Sequence, residues 1–183
     1  MTGPPDRVSV RRPRLRVWSA ASQSAVSVTP VPVVVELSPA PAPEVALQAL
    51  AAQPGVILFD SARVVPQLGR YSFLSADPFE FFRLETAEFG VDPLAPVRAR
   101  LRALSAEPRP DLPPFQGGAA GLMSYELGGC WERLPVPPCD ELEIPALAVG
   151  LYDWVLAWDH ASGRAWIISQ GWPEEAGVSR ERR

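Results

Sequence analysis

Hydrophobic positions along this 183-residue chain fall into short runs separated by proline- and glycine-rich breaks. That pattern predicts many strands and few helices. Residues 31–37 form a β-branched run, read as a first or edge strand, and Ser38-Pro39-Ala40-Pro41-Ala42-Pro43 breaks it. Residues 44–52 are helix formers with Val45, Leu47 and Leu50 apolar, and Gln53-Pro54-Gly55 stops that helix. Val56-Ile57-Leu58-Phe59 is a compact apolar run that predicts a buried strand ending at Asp60-Ser61. Residues 70–76 and 79–84 predict two more strands separated by Asp77-Pro78, with Phe73, Phe79, Phe81 and Phe82 as core bulk.

Asp92-Pro93 predicts a helix start, with Asp92 as cap and Pro93 in the first turn. Leu94, Val97, Leu101 and Leu104 then recur at helical spacing, and Arg98, Arg100 and Arg102 lie off that stripe as a solvated face. Proline-rich stretches at 107–114 and 134–145 read as connectors, the second long enough to be functional or mobile. Residues 146–159 predict one long strand, Asp159 to Gly163 a turn, and 164–169 its hairpin partner. The expected organisation is a flexible leader at 1–30, one domain at 31–170 and a polar, truncated or disordered tail at 171–183. Strands outnumber helices and are expected to pair mostly through hairpins. The fold class is therefore α+β, with a largely antiparallel sheet and a few flanking helices.

Composition narrows the function classes. The net charge of −4 and the absence of clustered basic residues argue against a nucleic-acid surface. All 17 basic residues are Arg. No run approaches the roughly 20 apolar residues of a membrane helix, and the basic N-terminus lacks an apolar signal core. A cytoplasmic protein is expected. Cys130 and Cys139 make neither a disulfide framework nor a zinc site, and one histidine, His160, cannot build a multi-His metal site. His160 reads as a solvated turn residue, and Cys130 and Cys139 as ordinary thiols.

Candidate chemistry is sparse. Gly117, Gly118 and Gly121 fit neither G-x-G-x-x-G nor a P-loop, and read as glycines that permit close strand packing. Asp60, Asp77, Glu126, Asp140, Glu141 and Glu143 are carboxylates that spacing alone does not pair. There is no G-x-S-x-G elbow. The loop from Asp60-Ser61 to Tyr71-Ser72 is richer, since it gathers a hydroxyl, a guanidinium, a glycine and an aromatic ring. Such a set suits an amino acid, with Arg or backbone N–H on its carboxylate and Ser on its ammonium. The same residues also suit a plain connection between strands.

Three blocks carry a family resemblance. Leu58-Phe59-Asp60-Ser61, Leu68-Gly69-Arg70-Tyr71-Ser72-Phe73-Leu74 and Ala76-Asp77-Pro78 form the first. Pro114 to Glu126, around Gly117-Gly118 and Tyr125-Glu126, forms the second. Leu134-Pro135, Asp140 to Pro145, and Val149 to His160 form the third. In that order they resemble the N-terminal domain of component I of aminodeoxychorismate synthase and anthranilate synthase, over about residues 31–170. The flavour of the second and third blocks is closer to aminodeoxychorismate synthase. The resemblance implies a non-catalytic domain that is inactive alone, with no catalytic residue and no metal site in this chain. Catalysis and Mg²⁺ would belong to a chorismate-binding domain in cis or trans, fed with ammonia by a glutamine amidotransferase component II, on the way to 4-aminobenzoate and folate. It also implies one side of a tryptophan pocket at Ser61, Leu68, Gly69, Arg70 and Tyr71. Phe59-Asp60 stands where the feedback-inhibited pattern has Leu-Glu. Anthranilate synthase component I, in tryptophan synthesis, and a stand-alone amino-acid-binding module are the alternatives.

Overall fold

The computed structural model describes residues 16–19 by their backbone, and residues 31–61, 63, 68–104, 106–135 and 141–173. Leu147–Tyr152 (β7) and Trp154–Asp159 (β8) are separated by Asp153 alone. The expected single long strand is thus two strands, and each belongs to a different sheet. Polar groups hold the corner between them. The Asp153 carboxylate accepts from the Ser169 hydroxyl and the Trp172 amide, and its carbonyl accepts from the Gln170 amide. Asp153 alone interrupts the apolar run, and one polar residue between two largely buried halves does not announce a change of sheet.

The other strands assemble on this pair. The first sheet has the order β1-β5-β7-β6, with Arg16–Ser19 as β1, Glu80–Leu84 as β5 and Gly118–Met123 as β6. The second has the order β2-β9-β8-β4-β3, with Val33–Leu37 as β2, Ile57–Phe59 as β3, Tyr71–Ser75 as β4 and Arg164–Ser169 as β9. Every pairing is antiparallel. The expected α+β class holds as an antiparallel architecture, but with two sheets where one was expected. Hairpin pairing is also less general than expected. Only β8 and β9 join through a tight turn, and β3 and β4 through a longer loop; β1–β5, β2–β9, β4–β8 and β5–β7 are distant in sequence. β1 lies inside the stretch expected to be a flexible leader, and 1–15 and 20–30 lie outside the described residues. Trp172, in the expected polar tail, is buried, and 174–183 lie outside the described residues.

Two helices and a 3-10 turn complete the layers. Pro43–Leu50 (α1) lays Ala46, Leu47 and Leu50 on one face of the second sheet, over Leu74, Leu156 and Trp158. The Trp158 indole donates to the Pro41 carbonyl at 2.7 Å, so the proline-rich break before α1 is tied to the core. On the opposite face, Leu112 and Phe115 cover Val155, Ala157, Trp166 and Ile168. Gln116 holds that connector in place, because its side-chain amide bonds Arg109 N and O and Pro113 O. Ala95–Ala103 (α2) puts its expected stripe of Leu94, Val97 and Leu101 on the first sheet, together with Leu127 and Cys130. Its start is later than Asp92-Pro93 suggests. Asp92 Oδ1 accepts from Leu94 N in a turn two residues long, and Leu94 becomes the cap residue. Arg100 is not simply solvated, since it pairs with Glu80, a buried carboxylate on β5.

The close-packing expectation holds at Gly121 and not at Gly118, where an added Cβ would meet nothing within 4 Å. Gly121 has φ +155, and a Cβ there would lie 2.1 Å from the Ala148 carbonyl oxygen of β7. Gly121→Ala should therefore cost about 2 kcal/mol or more, seen as a lower urea midpoint with an unchanged slope.

Candidate functional site

β3 is an edge strand, half-exposed where a buried strand was expected. It delivers Asp60 and Ser61 to the end of the second sheet, and the chain returns through Leu68, Gly69 and Arg70 into β4. Ser61 Oγ donates to the Tyr71 carbonyl at 2.6 Å, and Ser61 N donates to Ser72 Oγ at 3.0 Å. Gly69 is required for the closure: its φ is +66, and a Cβ would come within 2.2 Å of the Arg63 carbonyl oxygen. Ser61, Gly69, Arg70 and Tyr71 are thus brought together, whereas Leu68 projects into solvent at 72% exposure.

Arg70 does not offer a free guanidinium. It makes a two-pronged contact with Asp159, Nε to Oδ1 at 2.9 Å and a terminal nitrogen to Oδ2 at 2.7 Å, and it lies 4.9 Å from the Tyr71 ring centre. The Arg70 hydrogen bonds, helped by the Ala161 amide, hold the Asp159 carboxyl down at about 2 against the opposing effect of burial. Asp159 is the last residue of β8, so the pair fastens the loop to the central strand of the sheet.

His160 is a turn residue as expected, but it is not solvated. Its Nε2 lies 2.7 Å from the hydroxyl of Ser72, a fully buried residue that also donates to Asp60 Oδ1 at 2.8 Å. Ser, His and Asp meet here without the order of a nucleophilic triad. The serine stands in the middle and is buried, and no carboxylate is seen to orient the imidazole. Only proximity in the fold reveals this cluster, because Ser72 and His160 are 88 positions apart.

An apolar groove of about 340 Å³ opens beside β3. Leu58 and Phe59 form one wall, Phe81, Gly121 and Leu122 of the first sheet the other, and Tyr152 closes one end. The Tyr152 hydroxyl donates to the Gly55 carbonyl at 2.6 Å, and burial pushes its pKa to about 12. The groove was not legible in sequence because its walls come from different sheets. Of the other expected sites, Cys130 is a buried free thiol, and Cys139 and Asp140 lie outside the described residues. Among the described residues no group of three His, Cys, Asp or Glu side chains comes together as a metal site, and no helix is long and apolar enough to cross a membrane.

The Arg70–Asp159 pair gives a pH-dependent prediction. A carboxyl held below its ordinary value stabilises the fold above that value, and the contribution is lost as pH falls. Half of the Arg70 side chain is exposed, so solvent screening reduces the effect. Arg70→Ala should be less stable than the wild type at neutral pH, with a lower urea midpoint. The gap to the wild type should close as pH falls from 3.8 to about 2, in urea unfolding followed across that range.

No family model matches the chain. It is 35% identical over 128 residues to aminodeoxychorismate synthase component 1 of Salmonella typhimurium, a match covering 63% of this chain and 28% of that protein. It is 33% identical over 138 residues to the protein of that name from Klebsiella aerogenes, covering 68% of this chain and 30% of the relative. It is 32% identical over 129 residues to anthranilate synthase component 1 of Arthrobacter globiformis, covering 64% and 24%. The chain thus spans less than a third of the length of these curated relatives. Over about three fifths of its length, this two-sheet protein is related in sequence to component 1 of aminodeoxychorismate synthase and of anthranilate synthase.

Proposed function

We propose that this chain is the N-terminal, non-catalytic part of an aminodeoxychorismate synthase component 1-like system. It would act in the cytoplasm only with a chorismate-binding domain and a glutamine amidotransferase, toward 4-aminobenzoate and folate. The observation that carries this reading is the match to two aminodeoxychorismate synthase components at 35% and 33% identity. Exposed apolar side chains beside the groove, Phe59, Leu122 and Met123, support a role that includes docking on a further domain. The anthranilate branch is the second reading, favoured by the Arthrobacter globiformis relative. In this reading Mg²⁺, which the family resemblance implies, belongs to the further domain.

The loop from Ser61 to Tyr71 is proposed as one side of an amino-acid site of the tryptophan class, with Ser61, Leu68, Gly69, Arg70 and Tyr71 as its residues. The engaged Arg70 shifts recognition of a ligand carboxylate toward backbone N–H groups and the further domain. The apolar groove beside Phe59 suits an aromatic side chain.

The test is an assay of the purified chain with chorismate, Mg²⁺ and ammonia. No product is expected from the chain alone, and turnover is expected once the chorismate-binding portion of a component 1 relative is added. Product from the chain alone would overturn the non-catalytic reading, and the identity of the restored product, aminodeoxychorismate or anthranilate, decides the branch. Calorimetry with millimolar tryptophan should give a binding heat; its absence would remove the amino-acid site.

A further inference from the structure

The Ser72 hydroxyl has one hydrogen and two acceptor positions, and the fold uses all three. Its hydrogen goes to Asp60 Oδ1 at 2.8 Å. One acceptor position takes the Ser61 amide at 3.0 Å. The contact with His160 Nε2 at 2.7 Å must then be a donation from the imidazole, because the oxygen has no second hydrogen to give. Ser72 is fully buried, so water does not compete for any of the three bonds.

Three separate pieces of chain meet at this one oxygen. Asp60 and Ser61 come from the end of β3, Ser72 from β4, and His160 from the turn after β8. The backbone joins the same pieces, since His160 N donates to the Arg70 carbonyl at 2.9 Å. Asp60 directly follows Phe59, which lines the groove.

We propose that His160 is a positioning residue. Held as its Nε2–H tautomer, it orients Asp60 and the Ser61 amide through the Ser72 hydroxyl, and so sets the geometry with which the chain leaves β3 at Ser61. Its importance for ligand binding rests on the amino-acid site proposed above; its effect on the loop does not.

The chain has a single histidine, so one imidazole gives an unambiguous ¹⁵N NMR signature. In alkaline buffer the wild type should show the Nε2–H tautomer alone, and Ser72→Ala should relax the ring to the tautomer mixture of a free imidazole. Amide exchange at Ser61 should quicken about tenfold in His160→Ala and return to within about threefold of the wild type in His160→Gln, which keeps an N–H donor near the same place. Tryptophan affinity should follow the same order, about tenfold weaker in His160→Ala and largely recovered in His160→Gln. A bare Nε2 in the wild type, or a Ser61 amide that exchanges equally in all three proteins, overturns the proposal. If the wild type binds no tryptophan, the amino-acid reading fails, while the tautomer and exchange measurements still decide the role of His160.

Discussion

One segment, residues 147–159, runs through both sheets and turns at a single residue. β5 and β6 flank its first half, and β4 and β9 flank its second half. The change of sheet at Asp153 takes the local backbone out of both ladders, and its polar groups must still find partners. The Gln170 amide donates to the Asp153 carbonyl, while Ser169 and Trp172 hold its carboxylate, so the corner is completed only when the later chain has returned. The concave space between the sheets follows from this turn: β3 at the edge of one sheet faces the outer surface of the other, and the apolar groove lies between them.

Much of the local structure is legible in the sequence. The runs around β2, β4, β5 and β9, the stripe on α2 and the turn at Gly163 all follow from hydrophobic spacing and turn chemistry. What is not legible depends on tertiary context. Asp153 is the one charged residue in the apolar run from Leu147 to Trp158, but a single polar position does not by itself mark a change of sheet, because burial on both sides removes the polar alternation that would reveal the strand faces. The late start of α2 is another case, since Asp92 satisfies the Leu94 amide in a turn and leaves the capping position to a leucine. Long-range strand pairing likewise leaves no mark in local spacing.

The candidate loop shows the same division. Its residue types suggest amino-acid chemistry, and the chain is related in sequence to component 1 of two synthases, but the partners of these residues lie on β8 and the turn after it. Arg70 looks available in sequence and is engaged by Asp159. His160 looks solvated and instead meets a buried hydroxyl. In both cases the sequence identifies the group and the fold decides what it faces. Asp159 at the end of β8 and His160 in the turn after it hold Arg70 and Ser72 where the chain re-enters the sheet.

Gly121 joins the packing of the first sheet to the shape of the groove. It presses on the Ala148 carbonyl and also lines the groove wall. The depth of the groove at this point is therefore not a free parameter in evolution: enlarging the residue would part β6 from β7 before it could reshape what the groove accepts. Diversification of this surface among related sequences has to run through neighbours such as Phe59 and Leu122, whose side chains can change without forcing two backbones apart.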